Sequence, residues 1–153
     1  MKLQFKHQKF QADAAVAVCD VFAGQPNISD SYMMDKGIVN GMQQLSVTDT
    51  VDFTGYANNE VLLSDSVVLD NLQKIQRQNQ LEPSKRLEGK YNLTIEMETG
   101  VGKTYTYIKT MFELSERYGW NKYIVVVPSV AIREGVYKSF EITQDHFAEE
   151  YNK

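Results

Sequence analysis

The residues with the clearest chemical signature occupy positions 97–104 and read Met-Glu-Thr-Gly-Val-Gly-Lys-Thr. Gly100 and Gly102 can adopt positive φ angles at little cost, so that successive backbone N–H groups can converge on an anionic oxygen. A helix that begins after Gly102 would add the partial positive charge of its N-terminus at the same place. The Lys103 ammonium would neutralise β- and γ-phosphates, and the Thr104 hydroxyl would join the ligands of Mg²⁺. The spacing predicts a triphosphate-binding loop.

The residues on either side of this loop have the pattern that such a loop requires. The full motif has glycine five residues before Gly102, where this chain has Met97. Apolar residues alternate with polar ones before the loop, which predicts a β-strand: Tyr91, Leu93, Ile95 and Met97. Apolar residues at helical spacing follow the loop and predict an amphipathic helix: Ile108, Met111, Phe112 and Tyr118.

A second apolar run predicts the architecture around the loop. Residues 123–127 read Tyr-Ile-Val-Val-Val, which is typical of a strand buried on both faces of a parallel sheet. Two strands flanking one helix form a βαβ unit with a right-handed crossover. The loops after both strands then lie at the carboxyl edge of the sheet, where open α/β sheets bind their ligands. The sequence therefore predicts an α/β fold with flanking helices, and a further helix from Ser129 to about Phe140.

The chain before the phosphate loop contains two predicted helices and a loop-rich segment. Apolar residues recur at helical spacing in 9–22 and again in 64–80. Between them, at about 25–63, small and polar residues recur every few positions, which indicates an insertion. Within it, 43–48 and 50–54 have the composition of brief strands. The inner side of the first helix is expected to consist of its apolar residues: Phe10, Ala14, Ala17, Val18 and Val21.

Composition narrows the class of protein. A chain of 153 residues is expected to form one domain, and its net charge of −4 argues against a sequence-blind nucleic-acid binder, which usually carries a basic surplus. No run approaches the ~18 apolar residues of a membrane span, so a cytoplasmic protein with no membrane partner is expected. The single cysteine, Cys19, cannot form an internal disulfide and is expected to pack in the core.

Three separated motifs resemble the first, RecA-like motor domain of helicase superfamily 2, and in particular the restriction subunit of type III restriction-modification enzymes. Phe10-Gln11-x-x-Ala14 is similar to the glutamine motif near the start of these motors. The loop at 97–104 resembles their phosphate loop. Residues 125–135, Val-Val-Val-Pro-Ser-Val-Ala-Ile-Arg-Glu-Gly, resemble the next motif, which contacts the DNA backbone.

The resemblance implies ATP and Mg²⁺ as cofactors and assigns roles to individual residues. Gln11 would hydrogen-bond the adenine edge, and Phe10 would pack beside the base. The triphosphate would be held by the loop: Thr99, Gly100, Val101, Gly102, Lys103 and Thr104. Within this set, Lys103 would be catalytic and Thr104 would bind the metal. DNA phosphate would contact residues of the third motif: Pro128, Ser129 and Arg133.

The resemblance also implies that 1–153 is an N-terminal part of the first motor domain, with an incomplete sheet. Hydrolysis in this superfamily needs a later acidic pair and arginines from a second motor domain. The intact protein is expected to be an ATP-dependent DNA translocase and endonuclease with a modification methyltransferase subunit as partner, whereas this chain alone would bind nucleotide without turnover. The alternatives are another superfamily 2 helicase-like defence protein, a non-catalytic remnant that binds DNA or protein, and a small kinase-type phosphotransferase.

Overall fold

The computed structural model describes residues 5–28 and 58–152, and every regular element within these ranges is an α-helix. The four helices are α1 (Lys9–Asp20), α2 (Asp65–Gln78), α3 (Lys103–Tyr118) and α4 (Val130–Tyr151). Helix α3 packs against both α1 and α4, and α1 also packs against α2. The central helix of the described part is therefore the one that follows the phosphate loop. No helix within these ranges is both long and apolar enough to span a bilayer.

The main hydrophobic core lies where the C-terminal ends of α1 and α3 meet. The Phe22 ring packs edge-on against Trp120, with the ring centroids 5.1 Å apart, and against Tyr118 at 6.5 Å. The Tyr118 hydroxyl donates a hydrogen bond of 2.8 Å to the Cys19 carbonyl. Cys19 is fully buried, as its helical context predicted. Burial of these large rings holds α3 against α1.

The predicted α/β fold with a parallel sheet is wrong for the residues that the structure describes. Neither 91–97 nor 123–127 forms a strand, and the side chains of Ile124 and Val126 are 92% and 88% exposed. A β-strand exists only where its backbone N–H and C=O groups pair with a neighbouring strand. Between 58 and 152 neither segment has such a partner, so the partial RecA-like sheet is absent there. Alternating apolar and polar residues and β-branched side chains favour an extended backbone, but they do not supply the neighbouring strand with which it must hydrogen-bond.

The helix predictions have a different outcome. The helices expected at 9–22 and 64–80 are confirmed with slightly shorter bounds, and the helix after the phosphate loop is confirmed at Lys103–Tyr118. The helix expected to end near Phe140 continues to Tyr151. It continues because its second half packs on α3: the fully buried Phe147 ring stacks on Phe112 with centroids 5.1 Å apart. The brief strands expected at 43–48 and 50–54 lie outside the described residues, and the insertion stays a prediction.

The buried stripe of α1 differs from the expected one. The fully buried or nearly buried positions within the helix are Gln11, Ala15 and Cys19, four residues apart, whereas Phe10 is 46% exposed. This stripe is rotated by about one position from the most apolar residues. Small side chains on it let α1 approach α3 closely, since α1 and α3 form the most extensive helix contact in the described part.

Candidate phosphate-binding site

The loop before α3 has the backbone conformation that its glycines predict. Gly100 has a φ of 82° and Gly102 a φ of 88°, both in the left-handed region. Gly102 is the N-cap of α3 and provides no side-chain cap. The Gly102 carbonyl accepts the first bond of the helix, from the Thr106 N–H at 3.0 Å. The N–H groups of the first turn therefore have no acceptor within the helix, which suits a bound anion.

Two of the three polar side chains predicted to contact a triphosphate stand at the start of α3, and the third, Thr99, is exposed in the loop before it. Lys103 is exposed, and Thr104 is half-buried beside it. Thr106, one turn into the helix, is buried and its hydroxyl donates to the Gly102 carbonyl at 3.2 Å. An ammonium group, a hydroxyl and the backbone N–H groups of the first turn of α3 therefore lie close together. This arrangement is suited to neutralising and orienting phosphate oxygens.

Gln11 contacts the phosphate loop directly. Its Nε2 donates a hydrogen bond of 2.8 Å to the Val101 carbonyl, although the two residues are 90 positions apart. A Cβ on Gly102 would lie 2.5 Å from the same Nε2. The structure therefore brings together the glutamine and the loop that sequence analysis singled out separately. The contact observed is with the loop backbone; Phe10, the other residue expected near a base, is 46% exposed.

A cleft of about 380 Å³ adjoins the start of α3. It lies between the N-terminal segment, α1, α3 and α4, and its lining includes residues that sequence analysis did not select: Phe5, Lys6, Gln8, Tyr105, Ser139, Ile142 and Thr143. Gln11 and Thr104 also line it. The Phe5 and Tyr105 rings stack with centroids 5.9 Å apart. The sequence does not predict this part of the cleft, because Phe5 and Tyr105 are one hundred residues apart in the chain and come together only in the folded structure.

A polar network on the far side of Tyr105 joins α3 to α4. The Tyr105 hydroxyl is 2.7 Å from Nε2 of His146, whose ring is also 3.4 Å from a Glu150 carboxylate oxygen. Burial, with a further contribution from the charge of Glu150, raises the pKa of Tyr105 to about 12. Glu150 also pairs with the buried Lys109. These contacts hold the first two turns of α3, and therefore the phosphate loop, against α4.

The three residues predicted to contact DNA lie at the beginning of α4. Ser129 is the N-cap of this helix, and its hydroxyl accepts a hydrogen bond of 3.3 Å from the Ile132 N–H. Arg133 is exposed and its Nη2 lies 2.8 Å from a carboxylate oxygen of the neighbouring Glu134. Pro128 is exposed as well. The structure thus gives Ser129 a capping contact, and it pairs Arg133 with an acidic neighbour, so that the pair carries no net charge.

The described residues provide few ligands for a metal ion on their own. No group of three or more His, Cys, Asp or Glu side chains within 5–28 and 58–152 is arranged to hold one. Thr104 therefore remains the predicted metal ligand in this part of the chain. Mg²⁺ usually keeps several waters and is often held by one or two protein oxygens together with substrate phosphates, so a single hydroxyl beside a phosphate loop fits its requirements.

Comparison with known proteins agrees with the motifs. Residues 36–153 match the family model described as type III restriction enzyme, res subunit. The chain is 37% identical over 111 residues to the EcoP15I Res subunit of Escherichia coli and 34% identical over 109 residues to the EcoPI Res subunit of Escherichia phage P1. These matches cover 70% and 69% of this chain, and 11% of each relative.

A third relative is the StyLTI Res subunit of Salmonella typhimurium, with 41% identity over 68 residues, 43% of this chain and 7% of that protein. The chain therefore spans about a tenth of the length of the relatives that it matches. The family model covers most of the chain and includes the phosphate loop and the start of α4. The chain belongs to the family of type III restriction enzyme Res subunits.

Proposed function

We propose that this chain forms the ATP-binding part of an ATP-dependent DNA translocase that serves restriction. The observation that carries the proposal is the pair of left-handed glycines, Gly100 and Gly102, directly before α3, with Lys103 and Thr104 in its first turn. This turn combines free N–H groups, a helix N-terminus and an ammonium group in one place. These are the groups that stabilise the charge of a triphosphate.

The residues present fit ATP with Mg²⁺. The phosphates would lie against the loop from Thr99 to Thr104, with Lys103 beside the β- and γ-phosphates and the Thr104 hydroxyl towards the metal. When bound, Mg²⁺ would supply positive charge that offsets the negative charge of the phosphates. The base would lie towards α1, near Phe10 and Gln11. The relatives are named as Res subunits of type III restriction-modification enzymes, which supports a role of the intact protein in restriction.

The partners proposed for the intact protein are DNA and a modification methyltransferase subunit. DNA phosphate would contact the exposed start of α4, at Pro128, Ser129 and Arg133. Since hydrolysis of this type requires an acidic pair and arginines that the motifs of 1–153 do not include, the chain alone would bind nucleotide without turning it over. Nucleotide binding and not ATPase activity is therefore the property to measure.

Calorimetric titration of the 153-residue chain with ATP and Mg²⁺ tests the proposal. Lys103→Ala should weaken binding by about 1.5–3 kcal/mol, which is tenfold or more, because a charge-assisted contact is lost. Lys85→Ala provides the matched control, since Lys85 is exposed and lies in the segment after α2, outside the loop at 97–104. Equal affinities of the wild-type and Lys103→Ala chains, or no binding by the wild type, would refute the proposal.

A further inference from the structure

The contact between Gln11 and the phosphate loop has a geometric consequence for the loop. The Gln11 Nε2 donates to the Val101 carbonyl at 2.8 Å, and the Gln11 residue is only 9% exposed. A trans peptide is planar, so its C=O and its N–H point in opposite directions. Fixing the Val101 carbonyl towards α1 therefore fixes the N–H of Gly102 away from α1. That N–H belongs to the loop whose donors would bind phosphate.

The packing around this bond leaves the Gln11 amide little freedom. A Cβ on Gly102 would lie 2.5 Å from Nε2 and 3.7 Å from the amide carbon of Gln11, so the amide occupies the space that the missing side chain leaves. The left-handed φ of 88° at Gly102 and the absence of a Cβ are both needed for this approach. Turning the amide towards a base would leave the Val101 carbonyl without this donor.

We propose that Gln11 is a positioning residue that holds the peptide between Val101 and Gly102 in its anion-binding orientation. The inference rests on the proposed phosphate-binding function and adds to it that affinity for the phosphate chain depends on Gln11 whether or not a base is attached. If the peptide rotated, a carbonyl oxygen would face the phosphates and repel them. Without the Gln11 donor, the loop loses the contact that opposes this rotation.

A comparison of two ligands distinguishes a glutamine that positions the loop from one that reads the base. Inorganic tripolyphosphate carries the phosphate chain without a base. A glutamine that reads adenine affects ATP and has no effect on tripolyphosphate. A glutamine that positions the loop affects both ligands, and GTP as well, by a similar factor.

The test is a titration of the 153-residue chain with tripolyphosphate, ATP and GTP, each with Mg²⁺. Gln11→Met keeps the length of the side chain and removes its donor, and should weaken all three ligands by a similar factor of about 3 to 10. Gln11→Glu keeps the shape but places a carboxylate against the Val101 carbonyl, and should weaken them further. The control is Gln78→Met, the same change on the exposed end of α2, and should leave all three affinities unchanged.

Melting temperatures of the same variants distinguish positioning from folding. A loss of affinity for ATP alone would overturn the inference in favour of base reading. A lower melting temperature with unchanged tripolyphosphate affinity would overturn it in favour of a purely structural role. If the wild-type chain binds ATP and tripolyphosphate but the Gln11 variants bind as well as it does, only this inference fails. If the wild type binds neither, the proposed function fails and the inference with it.

Discussion

The Lys109 ammonium forms an ion pair with the Glu150 carboxylate, and this contact ties the middle of α3 to the last turns of α4. The Lys109 side chain is only 8% exposed. It also donates a hydrogen bond of 3.0 Å to the Tyr151 hydroxyl, and Glu113 lies 4.0 Å away on the next turn of α3. The charge of Lys109 is therefore shared among carboxylates that are themselves mostly buried. Helix α3 carries Lys103 and Thr104 at its N-terminus. By fixing α3 against α4, this network therefore helps to hold both residues in place.

Removing the cation from this network should destabilise the chain. Lys109→Met leaves Glu150 and Glu113 without their shared partner, and should lower the free energy of unfolding by about 1.5–3 kcal/mol, since the acids are partly exposed to water. Glu150→Gln should cost less, because its amide oxygen still accepts from Lys109. Urea denaturation measures both changes. The control is Lys9→Met, which breaks an exposed pair with Asp13 and should have little effect; an equal loss in all three variants would contradict the prediction.

Two glycine substitutions separate backbone strain from the contact with Gln11. Gly100→Ala and Gly102→Ala both place a Cβ at a positive φ, which costs about 1–2 kcal/mol. A Cβ at Gly100 meets nothing within 4 Å, whereas one at Gly102 displaces the Gln11 amide. We therefore expect Gly102→Ala to weaken tripolyphosphate binding more than Gly100→Ala does, as measured by calorimetry.

The double variant Gly102→Ala with Gln11→Ala supplies the internal check. Removing the amide also removes the clash, so the double variant should bind better than the sum of the two single losses predicts. Additive losses would mean that the two residues act independently. Because they are in direct contact, we expect a coupling of about 0.5–3 kcal/mol.

The start of α4 allows helix capping and DNA contact to be tested separately. Ser129→Ala removes the acceptor of the Ile132 N–H and should lower stability by about 1 kcal/mol. Ser129→Asp keeps a capping oxygen and should preserve the melting temperature. If Ser129 faces DNA phosphate, the added negative charge should weaken DNA binding at low salt, as measured by fluorescence anisotropy. Unchanged DNA affinity in Ser129→Asp would leave this residue with the capping role alone.

Alkaline pH should destabilise the chain through Cys19. Burial raises the pKa of the Cys19 thiol from its ordinary value of 9.0 to about 12. The folded state therefore favours the neutral thiol, a stabilisation that is fully present below pH 9 and is lost as the pH rises from about 9 towards 12. The expected slope is about 1.4 kcal/mol per pH unit in that window. Cys19→Ala should show a smaller slope in urea denaturation at pH 8–11, although its stability at neutral pH is lower because of the cavity.

The same burial predicts that the folded chain reacts slowly with thiol reagents at pH 8, since the thiolate is the nucleophile and Cys19 is fully buried. Reaction should become fast in urea. Rapid modification of the folded chain would show that the end of α1 opens readily. This would contradict the expectation that the hydrogen bond from the Tyr118 hydroxyl to the Cys19 carbonyl holds the end of α1 in the core.

Residue type alone was sufficient to predict the left-handed turn at 100–102 and the beginnings of α3 and α4. Gly100 and Gly102 adopt the left-handed angles that favour glycine, Gly119 ends α3 in the same way, and Ser129 caps α4. These features depend on a few neighbouring residues, because steric exclusion and capping act over a single turn. The sequence therefore determined where α3 begins and which groups stand there.

Only the tertiary structure decided which segments pair and which faces are buried. The β-branched run at 123–127 has the composition of a strand but no backbone partner in the described residues, and Phe147 extends α4 by packing on α3. The buried stripe of α1 passes through Gln11, whose amide reaches Val101 across 90 positions. Pairing and burial depend on which surfaces meet in space, and spacing along one segment carries no information about its distant partner.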